Sequence, residues 1–130
     1  MGEIVVLVVD SSVMIIERWQ NILTETENIK TVYGAVAYKD ASILFKAKKP
    51  HVVLLDCSLS GTMSIDLLKE FKAANENTLV IILSNTADSQ QQEKCKSLGA
   101  DYCFDKYHDF EKIPAFIVAN AGKHHLAEKY

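Results

Sequence analysis

Three apolar runs in this chain end in a polar side chain able to do chemistry, and a fourth segment leads into another. Ile4-Val5-Val6-Leu7-Val8-Val9 runs into Asp10, Val52-Val53-Leu54-Leu55 into Asp56, and Leu79-Val80-Ile81-Ile82-Leu83 into Ser84, while Phe104-Asp105 leads into Lys106. Strand C-termini gather at one edge of an open parallel sheet. That edge would hold two carboxylates, one hydroxyl and one ammonium on rigid supports. Carboxylate oxygens are hard donors suited to a divalent cation, and a lysine brings a compact positive charge. Asp56 is followed by Cys57-Ser58-Leu59-Ser60-Gly61, a small-residue turn that aims its carboxylate out of the strand end.

To position such a set the chain must alternate strands with helices, and it does so five times with no repeat and no linker. Alternation of this kind predicts a parallel sheet with helices on both faces. Ile4 to Val9 is apolar throughout, as a central strand covered on both faces requires. Ser11 or Ser12 can cap a first helix, in which Ile15, Trp19, Ile22 and Leu23 form a core stripe. The more polar segment from Lys30 to Val36 reads as an edge strand. A second helix turns Ala41, Leu44, Phe45 and Ala47 inward and ends before Pro50, because the residue ahead of a proline is driven out of the α region. A third, Met63 to Ala74, buries Ile65, Leu68 and Phe71, and a strand follows at Thr78 to Leu83. The fourth helix, Asp88 to Leu98, carries the polar run Ser89-Gln90-Gln91-Gln92-Glu93-Lys94. Only Ala87, Cys95 and Leu98 remain for it to pack, so it is expected to be the least firmly held. Gly99 stands where a helix end wants a left-handed residue. Phe110, Ile113, Phe116 and Ile117 mark the last helix, with Pro114 in its first turn.

Composition narrows the functional classes. A chain of 130 residues with 48% hydrophobic side chains suits one domain around one core. A net charge of -3 with scattered basic residues gives no general attraction to nucleic acid or an anionic membrane. No apolar run approaches the ~20 residues of a membrane span, and Met1-Gly2-Glu3 leads into a strand without a signal-peptide pattern. The expectation is a cytoplasmic protein. Cys57, Cys95 and Cys103 lack metal-ligand spacing and read as reduced thiols. His51, His108, His124 and His125 do not form a metal site on spacing.

Four positions together carry a family resemblance. Leu7-Val8-Val9-Asp10-Ser11-Ser12 looks like the first-strand acidic motif of the receiver domains of bacterial response regulators, and Leu54-Leu55-Asp56 with Gly61 looks like their phosphoacceptor loop. Ser84 stands where the family has Ser or Thr, and Gly99-Ala100-Asp101-Tyr102-Cys103-Phe104-Asp105-Lys106 is similar to the run into its lysine. Singly, Asp56 would read as a turn residue, Asp10 as a helix cap, Ser84 as a loop starter and Lys106 as a surface charge. The resemblance spans residues 3 to 122, the core of one domain over 1–130. It implies an α/β fold of flavodoxin-like topology, a single doubly wound five-stranded parallel sheet in order 2-1-3-4-5 with five helices.

The resemblance also implies a chemistry. Phosphoryl transfer depends on positioning and charge neutralisation. Asp56 would accept a phosphoryl group from a histidine kinase or phosphotransfer protein, Lys106 would pair with a phosphoryl oxygen, and Ser84 would hydrogen-bond another. Mg2+ would sit on Asp10, Asp56 and the backbone carbonyl of Ser58. Such a module is no metabolic enzyme; at most it catalyses its own phosphorylation and dephosphorylation. A downstream protein would read the face made by the fourth helix, fifth strand and last helix, with no direct role for nucleic acid or membrane. Four departures stand out. Ser11 replaces the family's second acid, which predicts weak Mg2+ binding. Tyr107 follows the lysine where proline is usual, and Asn85 replaces a small residue. Cys103 also stands where a switching aromatic is common. A pseudo-receiver that binds partners constitutively is therefore the alternative. An FMN binder of the same topology would need a glycine in Asp10-Ser11-Ser12-Val13-Met14, and an aspartyl phosphatase would need an acid at Ser58.

Overall fold

The computed structural model describes residues 3–57, 63–84, 93 and 96–129. Their strands are β1 (Ile4–Val9), β2 (Ile29–Ala35), β3 (Val52–Asp56), β4 (Leu79–Ser84) and β5 (Tyr102–Asp105). The helices among them are α1 (Val13–Thr24), α2 (Tyr38–Lys48), α3 (Met63–Ala74) and α4 (Ile113–Lys129), the last entered through a short 3-10 turn at Phe110–Lys112. The expected helix from Asp88 to Leu98 lies largely outside the described residues, as do Ser58, Gly61, Asn85 and Cys95. At its end Gly99 has a φ of 113°, the left-handed conformation expected there.

The strands form one parallel sheet in the order β2-β1-β3-β4-β5. Side chains alternate between its faces. Val6, Val8, Leu54, Ile81 and Leu83 pack on one face with Trp19 and Leu23 of α1 and Ile113 and Ile117 of α4. Leu7, Val9, Leu55, Val80 and Ile82 pack on the other with Phe45 of α2 and Leu67 and Phe71 of α3. β1, β3 and β4 are thus covered on both sides, which explains why they read as unbroken apolar runs. Register ties the strand ends together: Val9 lies beside Leu55, Asp56 beside Leu83, and Ser84 beside Asp105.

Three core expectations shift by a residue or two. On α1, Ile16 is buried and Ile15 only partly so. The cause lies across the interface: Gly34 of β2 has no side chain, and a Cβ built there would overlap the Ile16 methyl. Ile16 fills the space that glycine leaves. On α3, Leu67 joins Leu68 and Phe71 in the core while Ile65 is only half-buried. On α2, Ala47 is exposed, since two residues beyond Phe45 is about 200° round the helix. That helix ends as expected ahead of Pro50, with Lys49 in the left-handed region at φ 46°.

Gly34→Ala is expected to cost about 1–3 kcal/mol, because Ile16 is β-branched and buried and cannot rotate cheaply out of the way. Urea denaturation would measure this. An unchanged midpoint would mean that α1 has room to slide over β2.

Candidate functional site

The sheet's C-terminal edge brings together Asp10, Asp56, Ser84 and Lys106. All are nearly inaccessible, with exposures of 2%, 2%, 1% and 6%. Lys106 is the centre of the group. Its Nζ lies 2.7 Å from Asp10 Oδ2 and 3.3 Å from Asp56 Oδ2, and its backbone N–H donates to the Ser84 carbonyl at 2.7 Å. Desolvation is the largest single influence on this ammonium and opposes its charge. The hydrogen bond to Asp10 and the attraction of both carboxylates together outweigh that influence, so Lys106 is held above its ordinary value.

Local structure fixes each member. Asp10 Oδ1 accepts the Ser12 N–H at 2.9 Å, and the Ser12 hydroxyl caps α1 by accepting the Ile15 N–H at 3.4 Å. Both oxygens of Asp10 are therefore engaged, one by the chain turning into α1 and one by Lys106. After Lys106 the chain turns over Asp105, whose Oδ1 accepts the N–H groups of Tyr107 and His108 at 2.9 and 2.8 Å. Those two bonds, the one from His108 foremost, hold the Asp105 carboxyl below its usual range. Asp109 closes the turn by accepting the Asp105 N–H at 2.9 Å.

One neighbour was not singled out by sequence as part of the site. Cys57 follows Asp56 and lies alongside Ser84, and the two side chains are hydrogen-bonded to each other. Burial pushes the Cys57 thiol up, while the Ser84 contact pulls the other way. The signal was present in the strand order: any residue one step past Asp56 must flank the residue one step past Leu83. Of the expected metal donors, Asp10 and Asp56 stand together, and Ser58 lies outside the described residues.

The two carboxylates are hard oxygen donors of the kind Mg2+ takes. Two hard carboxylates converge on a single ammonium, leaving one positive charge against two negative ones at a buried edge. Ser11 is exposed and carries no charge. Asp10 shares its two oxygens with Lys106 and the Ser12 N–H, so it offers a cation less free negative charge than an additional acid would. Ser11→Asp is thus expected to tighten Mg2+ binding about tenfold, the effect of adding one anionic oxygen ligand. An NMR titration would read this, and unchanged affinity would show that Asp10 already serves as that ligand.

An open parallel sheet in this order, with acids, hydroxyl and lysine at its C-terminal edge, defines the receiver class of signalling domains. The sequence matches the response regulator receiver domain family over residues 6–118, and the chain belongs to that family. Sporulation initiation phosphotransferase F of Bacillus subtilis (strain 168) is 32% identical over 87 residues, covering 67% of this chain and 69% of that protein. The receiver domain of Francisella response regulator 1452 superposes with a TM-score of 0.82 at 24% identity, covering 93% of this chain and 98% of that one. The signal receiver domain of a putative LuxO repressor protein from Vibrio parahaemolyticus gives a TM-score of 0.85 at 17% identity, covering 97% and 95%. At such identities the two structures show a shared fold. Aspartate phosphorylation and Mg2+ binding are general to the family. Among the described residues, no helix is long and apolar enough to cross a membrane.

Proposed function

We propose that residues 1–130 act as a single receiver whose phosphoacceptor is Asp56, modified by a phosphohistidine on a histidine kinase or phosphotransfer protein. The observation that carries this reading is the double ion pair of Lys106 with Asp10 and Asp56, which gathers the required groups around one carboxylate. An Asp56 oxygen attacks phosphorus, the P–N bond to the imidazole breaks as the P–O bond forms, and the histidine, already protonated on its other ring nitrogen, leaves as neutral imidazole. Lys106 then pairs with one phosphoryl oxygen, and the Ser84 hydroxyl donates to another. The side chains of Asp10 and Asp56 and the Ser58 carbonyl would hold Mg2+, which would supply charge neutralisation between two anions.

The donor is a protein. Val13 and Met14 open α1 directly after Asp10-Ser11-Ser12, and Tyr107 follows Lys106; all three are exposed. Apolar side chains flanking a charged site suit contact with a partner surface. The kinship with a sporulation phosphotransferase supports a place in a phosphorelay within the cytoplasm. Output leaves through the segment 88–98, β5 and α4. There Tyr102, Phe104 and Phe116 form an aromatic cluster, with Phe116 edge-on to the other two at 4.4 and 4.9 Å, and Tyr102 is partly exposed. Cys103 faces the opposite side with the second core cluster, so the surface change on activation is carried by backbone more than by a swinging ring.

Incubation with a small phosphodonor and Mg2+, followed by intact-mass measurement and peptide mapping, tests the reading. One added phosphoryl group on Asp56 is expected. A protein that stays unmodified with Mg2+ and its cognate donor would replace this reading with that of a pseudo-receiver, the outcome that the missing acid at Ser11 favours.

A further inference from the structure

We propose that Cys57 is a positioning residue that tethers the Ser84 hydroxyl in its resting place and so sets how readily the site converts to its phosphoryl-bound arrangement. This inference rests on the reading of Asp56 as the phosphoacceptor and adds a residue to it. β3 and β4 run in register with Asp56 beside Leu83, and the Cys57 N–H donates to the Leu83 carbonyl at 2.9 Å, extending the ladder past the strand end. Neighbours across a parallel pair point to the same face, so the side chains of Cys57 and Ser84 stand side by side. Cys57 packs against the second core cluster, and the Ser64 hydroxyl donates to its carbonyl at 3.4 Å. Its backbone is thereby held from β4 and from α3, which makes it a fixed post.

Ser84 is 1% exposed, and a hydroxyl so buried needs a hydrogen-bond partner. In the resting structure the Cys57 side chain is such a partner. Sulfur is a weak hydrogen-bonding group, whereas a phosphoryl oxygen offers a charge-assisted bond of about twice the strength. The hydroxyl therefore gains by leaving Cys57 for the phosphoryl group, and the strength of the tether fixes how much it gains. A weaker tether should favour the modified arrangement and a stronger one should oppose it.

Titration of the whole chain with beryllofluoride and Mg2+, followed by NMR, tests this without enzymatic turnover. Cys57→Ala removes the tether and is expected to tighten beryllofluoride binding about two- to threefold, the lower end of the worth of one hydrogen bond lost from the resting state alone. Cys57→Ser replaces the thiol with a better partner of similar size, and is expected to bind no tighter than wild type. In a Ser84→Ala background the Cys57→Ala substitution should have no effect, because nothing is left to tether. An effect of Cys57→Ala that persists without the Ser84 hydroxyl would reduce Cys57 to a packing residue and overturn the proposal. So would Cys57→Ser binding as tightly as Cys57→Ala. A wild-type protein that binds no beryllofluoride would overturn the assignment of Asp56 itself, a failure distinct from these two.

Discussion

Lys106→Met is expected to remove about 3–5 kcal/mol of folding stability, the usual cost of deleting one partner from a buried ion pair. A domain of this kind has only about 5–15 kcal/mol in total, so this is the most damaging single change at the site. Methionine keeps the length and apolar stem but leaves two nearly inaccessible carboxylates facing each other without the ammonium between them. The pH dependence follows from the sign of the shift. Lys106 is held above its ordinary value, so its contribution is fully present below the unfolded lysine value of about 10.4 and lost only as pH rises through the still higher folded value. Urea unfolding of both proteins should give the same difference at about pH 7 and about pH 9. A difference that shrinks at the higher pH would show that burial wins over the two carboxylates. Added Mg2+ should stabilise the methionine variant, since a cation can take the ammonium's place between the acids.

The site and the sheet were legible for one reason. Chemical groups at the ends of buried parallel strands are flagged by the apolar runs that precede them, and those runs are apolar because both faces of β1, β3 and β4 are covered. Asp10, Asp56 and Ser84 could thus be placed at one edge from the runs alone, whereas Lys106, after the less buried β5, was placed by the resemblance of the run over 99–106. Helix faces were less legible. Periodicity put Ile15 and Ile65 in the core, but Ile15 and Ile16 stand four and three residues before Trp19, and both spacings fit one helix face. The choice fell to partners elsewhere: Gly34 admitted Ile16. Least legible was Cys57, because a neutral side chain beside an aspartate carries no pattern of its own. Its importance arises from Ser84, distant in sequence and adjacent only through the pairing of β3 with β4.

Asp56→Asn should lose every trace of phosphoryl modification and, without Mg2+, unfold at a higher denaturant concentration than wild type. The first effect is absolute: a carboxamide has no anionic oxygen to attack phosphorus. The second follows from the charge balance. Asp10 is the nearer partner of Lys106, at 2.7 Å against 3.3 Å for Asp56. Removing the Asp56 charge leaves a balanced pair, and it ends both the repulsion of Asp10 and the desolvation of a carboxylate that is 2% exposed. Desolvation can exceed the Coulombic gain of a buried charge, so a stabilisation on the order of 1–2 kcal/mol is expected. Mg2+ should reverse the order of the two proteins, because it binds the folded wild type with both acids present and gains less from the asparagine variant. Denaturation with and without Mg2+, beside intact-mass measurement after phosphodonor treatment, reads both effects on the same samples. An asparagine variant less stable than wild type in metal-free buffer would mean that attraction to Lys106 outweighs repulsion from Asp10. The acceptor would then be held in place by its lysine even before a metal or a phosphoryl group arrives.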